Sequence, residues 1–106
     1  MTTQLNALLK TLKEKRNPEE TISVIHSAFS ENPHLVATVK LSKGLNVSDK
    51  LETAFNLTNT IESPWWENEG VTPMFSDEGC RSTSVGDMVL IGKTKYLCEP
   101  VGWKEV

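Results

Sequence analysis

The chain lacks any apolar run near the ~20 residues that a bilayer-spanning helix needs. Its first residues show no basic stretch followed by an apolar one, so no secretory leader is expected and the cytoplasm is the expected compartment. Cysteine is scarce: Cys80 and Cys98 are the two present. Two are too few for a disulfide framework, and free thiols are the expectation in a reducing compartment. Both flank one expected hairpin, so an oxidising compartment would allow them to pair. Neither GxGxxG nor GxxxxGK[ST] occurs, which removes the common phosphate-cradling loops. No GxSxG occurs either, so Ser82, Ser84, His26, His34 and Asp87 supply the residue types of a nucleophile–His–acid site without a motif that brings them together. Seventeen residues separate the cysteines and seven the histidines, outside ordinary zinc-ligand spacing. No metal and no cofactor are expected.

Positive charge is also short. Eleven lysines and arginines against 14 acids leave a net charge of −3. A non-specific binder of nucleic acid or of an anionic membrane needs a basic face, so the balance counts against both. The shortage is sharpest at 62–79, ESPWWENEGVTPMFSDEG, which holds Glu62, Glu67, Glu69, Asp77 and Glu78 and no lysine or arginine.

What is present fits one folded domain over 1–106, with 38% hydrophobic and 24% charged residues. Leu5, Leu8, Leu9 and Leu12 fall at i, i+3, i+4 and i+7 and predict an amphipathic helix over 3–15. Its second half carries Lys10, Lys13, Lys15 and Arg16, which complement the negative end of a helix. The stretch 17–29 has two readings. Asn17-Pro18-Glu19-Glu20 resembles a helix start, whereas the β-branched alternation from Thr21 to Ile25 favours a strand over about 21–29. After a turn at Glu31-Asn32-Pro33, residues 34–41 read as its antiparallel partner, completing a hairpin over 21–41, with Leu35, Ala37 and Val39 on one face. A second helix is expected at 49–61, where Leu51, Ala54, Phe55, Thr58 and Ile61 share a face and Pro64 ends the run.

Residues 62–79 follow no period and hold Trp65, Trp66, Met74 and Phe75, an acidic-aromatic loop. Such a loop is either a packed excursion or a functional surface, and successive side chains in extended chain alternate, so one tryptophan is expected inside. A C-terminal hairpin is expected over 85–106. Met88–Ile91 is wholly apolar, consistent with burial on both faces, Gly92-Lys93 suits a two-residue turn with glycine first, and Thr94–Glu99 returns, interrupted at Pro100 and Gly102 and restarting at Trp103. The expected fold class is α+β: a small antiparallel sheet of about four strands from two hairpins, with one or two helices packed on one face.

The C-terminal half carries a further pattern. Leu57-Thr58-Asn59, a tryptophan at 65 or 66, Arg81-Ser82-Thr83-Ser84-Val85-Gly86-Asp87, Tyr96 and Val101-Gly102-Trp103 together resemble the small YodL-like domains, families of uncharacterised proteins of bacteria, phages and mobile elements. The resemblance implies a phage or mobile-element setting and imports no activity. On physical grounds the motif is chiefly architectural: Gly86 permits a tight turn, Asp87 bonds it, and Trp103 covers the closing hairpin.

Function is therefore expected to be that of a non-enzymatic accessory protein that binds a host or element-encoded protein, with inhibition as one mode. Trp65, Trp66, Glu67, Glu69, Arg81 and Asp87 are the candidate partner surface. Acids around apolar rings suit a basic partner. Arg81 could hold an anion or pair with an acid of the preceding loop. The alternative is a nucleic-acid-binding module using the N-terminal basic helix. A small enzyme is the third reading, and it requires Asp87, Arg81 and a histidine to converge on a cleft. No membrane partner is expected.

Overall fold

The computed structural model describes residues 19–29 and 31–106; the expected helix over 3–15 and its basic cluster lie outside them. The described elements are β1 (Glu19–His26), β2 (His34–Ser42), α1 (Val47–Leu57), a 3-10 turn (Trp65–Glu67), β3 (Val71–Pro73), β4 (Met88–Ile91), β5 (Thr94–Cys98) and β6 (Trp103–Glu105). The six strands form one antiparallel sheet in the order β3-β2-β1-β4-β5-β6. The α+β class holds, but the strand count is six where about four were expected. Of the two beyond the four, β3 has three residues, too short for any period to show in the sequence, and β6, also of three, begins at Trp103, where the return strand was expected to restart. Each pairs along the outer edge of a hairpin and takes up backbone groups that would otherwise face solvent unpaired. Pro73 is tolerated because β3 is an edge strand. No described helix is long and apolar enough to cross a membrane.

At 17–29 the described part is strand, from Glu19 to His26 rather than from 21 to 29. It stops early because the amides of Ser27 and Ala28 bond to the Asp87 carboxylate instead of continuing a ladder. The pairing of β1 with β2 shifts between Val24 and Ile25: Val24 faces Ala37 and Ile25 faces Leu35, so Val36 is an extra residue. This β-bulge breaks the strict alternation. Val36 and Ala37 are both buried, and Leu35, expected to share a face with Ala37 and Val39, is 44% exposed.

Helix α1 also moves from its expected span of 49–61. Asn46 caps it by accepting the Asp49 amide at 2.8 Å, so the helix starts at Val47 and Asp49 lies in its first turn. It ends at Leu57, where the Thr58 hydroxyl donates back to the Ala54 carbonyl at 2.8 Å. Ile61 therefore lies beyond the helix and is 92% exposed. Leu51 and Ala54 pack into the core with Ile22, Val24, Val39 and Val89. Lys50 Nζ pairs with Glu20 Oε1, tying α1 to β1. Trp103 meets Phe55 edge-on at 6.3 Å and donates its indole N–H to Glu52 Oε1, so it fastens β6 to α1.

Within β4 burial is complete only at Val89; Met88, Leu90 and Ile91 are half-buried. Burial of the whole run on both faces, as its composition predicted, would need a layer on each side of the sheet. Gly92 turns with φ +60° and no described non-glycine residue has positive φ, so Lys93 follows with negative φ, as a II′ turn requires.

Candidate functional site

The site grows from a turn. Ser84-Val85-Gly86-Asp87 is closed by the Asp87 amide donating to the Ser84 carbonyl at 3.0 Å. Gly86 stands third in it with φ +95°, the geometry of a type II turn. A β-carbon there would also come within 2.9 Å of Ala28 Cβ, so glycine is needed on two counts.

The turn carries the Asp87 carboxylate into the interior, where it is fully buried. Oδ1 accepts from the amides of Ser27 (2.9 Å) and Ala28 (3.0 Å), and Oδ2 from the amide of Ser84 (2.8 Å). Arg81 adds a two-pronged pair, at 2.7 Å to Oδ2 and 2.8 Å to Oδ1. Burial alone would push this carboxyl upward, but the Arg81 pair and the amides of Ala28, Ser84 and Ser27 outweigh it and hold Asp87 at about 2. The bond to Asp87 in turn raises the Arg81 pKa. Arg81 therefore pairs with an acid six residues after it, not with one of the preceding loop, and its guanidinium stacks over Phe29 at 4.8 Å.

His26, at the end of β1, is buried beside this network. Its Nε2 lies 3.0 Å from Thr83 Oγ1 and 3.8 Å from Asp87 Oδ2, and its Nδ1 lies 3.6 Å from Cys80 Sγ. Burial lowers the His26 pKa despite Asp87, and the Arg81 and His34 charges lower it further. Burial raises that of the Cys80 thiol, with Arg81 opposing. Near neutral pH the pair is therefore imidazole and thiol. Thr83 is held by the tip of the helical segment: its amide donates to the Thr58 carbonyl at 3.0 Å and its carbonyl accepts from the Asn59 amide group.

The acidic-aromatic segment forms one wall. Trp65, 1% exposed, is the largest fully buried side chain, and its indole N–H is shared between the carbonyls of Cys80 and Arg81, each at 3.1 Å. Trp65, Trp66 and Phe75 meet edge to face with centroids 5.5–5.7 Å apart, and Trp66 packs against Gly79. Between β2 and this wall lies a cleft of about 580 Å³ lined by His26, Phe29, Leu35, Met74, Phe75, Cys80 and Arg81, among others.

The sequence-based candidates thus divide. Trp65 and Asp87 are interior, so they build the surface without belonging to it. Trp66 is half-buried, and Glu67, Glu69 and Arg81 are exposed. Arg81 and His26 line the cleft, but Asp87 lies behind them, fully buried and outside its lining, so the cleft holds two of the three groups that the third reading required. Cys80 and Thr83 were not among the candidates. Cys80 is 54 residues from His26 in the chain, and no spacing signals that pairing. Both cysteines are free. Among the described residues no three His, Cys, Asp or Glu side chains gather as metal ligands. No protein-family model, no curated protein and no solved structure matches this chain.

Proposed function

We propose that this is an accessory protein of phage or mobile-element type that works by binding a host or element-encoded protein through the acidic surface of 62–79. The observation that carries the reading is a charged surface on a rigid support. Glu67, Glu69, Asp77 and Glu78 are exposed and no cation interrupts the segment, while Trp65, Trp66 and Phe75 staple it to the sheet. Met74, half exposed, supplies an apolar contact beside the acids. A preorganised surface loses little freedom on binding, and carboxylates around an apolar centre fit a basic segment of a partner protein. The resemblance of the 57–103 pattern to YodL-like domains supports the mobile-element setting.

The test is capture of a partner from lysate of the native host, compared across variants and salt. The triple variant Glu67→Lys, Glu69→Lys, Glu78→Lys should lose a partner that wild type retains, and retention by wild type should fall as salt rises. Glu105→Lys, on the far edge strand, should keep it. Equal capture by the triple variant and wild type contradicts the surface.

A further inference from the structure

A thiol, an imidazole, a hydroxyl and a carboxylate form one chain of contacts at the floor of the cleft. Cys80 Sγ stands 3.6 Å from His26 Nδ1, and His26 Nε2 stands 3.0 Å from Thr83 Oγ1 and 3.8 Å from Asp87 Oδ2. The carboxylate end is closed to solvent, and the thiol end borders the cleft opposite Leu35, Met74 and Phe75. A nucleophile within reach of a base, with the base oriented by further groups, is the arrangement that covalent catalysis uses. The backbone that follows the sulfur-bearing residue is held: the Trp65 indole N–H donates to the Cys80 and Arg81 carbonyls. Cys98 is the contrast within the same chain, a buried thiol whose sulfur meets the Glu99 carbonyl at 3.9 Å.

We infer that Cys80 is a nucleophilic thiol that accepts an acyl group from a thioester, with His26 as its general base, Thr83 as the group that orients the ring, Asp87 as the negative charge beside it, and the cleft as the seat of the acyl chain. In the step the Cys80 S–H proton passes to His26 Nδ1 and the sulfur bonds to the acyl carbon. The carbon–sulfur bond of the donor breaks, its electron pair leaves on the departing sulfur, and His26 returns the proton to that thiolate. One thioester replaces another, so no oxidant or reductant enters the balance.

The site's own character selects this substrate class. Burial keeps Cys80 as a thiol and His26 as an imidazole, so the proton moves during attack instead of beforehand. Nδ1 then accepts from the thiol while Nε2–H donates to Thr83, and Asp87 lies close enough to favour the imidazolium as it forms. A thiolate is a good leaving group, so a positioned base suffices, and Leu35, Met74 and Phe75 give a cleft of mixed polarity an apolar strip against which a hydrocarbon chain can lie. A volume of about 580 Å³ is within the ordinary range for a small-molecule pocket.

The experiment uses the full chain and the S-octanoyl thioester of N-acetylcysteamine, with acylation read by mass spectrometry of the separated Cys80 and Cys98 peptides. One octanoyl group is expected on Cys80 and none on Cys98. Acylation of Cys80 should be at least ~10-fold faster in the folded protein than in the same chain unfolded in urea, where the base is lost. His26→Gln should slow it by ~100-fold, with near-ultraviolet circular dichroism reporting whether that variant is folded. A folded chain acylated no faster than the unfolded one overturns the proposal, and this comparison needs no variant. A folded His26→Gln protein acylated at the wild-type rate overturns it equally. Neither outcome depends on whether the acidic surface binds a partner.

Discussion

At the scale of single residues the site rests on Gly86 and on the rings beneath the acidic segment. Gly86 has φ +95° and a β-carbon position 2.9 Å from Ala28 Cβ. Gly86→Ala should therefore cost about 1–3 kcal/mol from backbone strain and contact together, read by urea unfolding. Gly92, also at positive φ but with open space around it, should cost less on the same change because only strain remains. Adjacent tryptophans should likewise differ. Trp65→Ala removes a fully buried ring and orphans two carbonyls, at about 3–5 kcal/mol, while Trp66→Ala, half-buried, should cost clearly less. The expectation that one tryptophan lies inside came from alternation alone; a short 3-10 turn rather than an extended strand separates the two rings.

At the scale of elements, strong periodicity was legible and short or bulged pieces were not. The first hairpin and α1 showed their period over several residues each, and the second hairpin was legible from an apolar run followed by a glycine turn. β3 and β6 have three residues, and their pairing is decided by which edges remain open nearby. The bulge at Val36 left no mark in the sequence, because an extra residue in HLVATVKL reads as unbroken strand and only the partner shows the slip. The ends of α1 were set by side chains, Asn46 and Thr58, that act through backbone contacts rather than through a pattern of hydrophobicity. The segment 62–79 reads as loop yet is bonded into the sheet: the Met74 amide donates to the Val36 carbonyl at 2.8 Å and the Lys40 amide to the Gly70 carbonyl at 2.9 Å. Hydrogen exchange should show both amides protected well beyond those of exposed residues 77–79, and fast exchange at Met74 would mean that the acidic surface lacks its rigid support.

At the scale of the whole molecule one carboxylate joins parts that are distant in sequence. Asp87 binds the end of β1 through Ser27 and Ala28, its own turn through Ser84, and Arg81 in the strand-free stretch before it; its backbone carbonyl accepts from the Cys98 amide of β5 at 2.8 Å. The pairing of Arg81 with Asp87 was not legible because Ser82 to Gly86 separate them, and Asp77 and Glu78 are nearer to Arg81 in sequence. The same joint positions His26, so the thiol site and the sheet share a support. The energetic consequence has a definite sign. Asp87 is held at about 2 in the folded protein, below its ordinary 3.8. A depressed carboxyl contributes stability that is fully present above the unfolded value and is lost as the pH falls through the folded one. That contribution is on the order of 2 kcal/mol, since one unit corresponds to about 1.4 kcal/mol.

The most direct test is urea unfolding of wild type and Asp87→Asn between pH 7 and pH 2. The variant should be less stable by about 2–3 kcal/mol at pH 7, with the gap constant down to about pH 4 and mostly closed near pH 2. A gap that does not change with pH, or no gap at pH 7, would contradict the claim that an ionised, buried Asp87 holds the molecule and its site together.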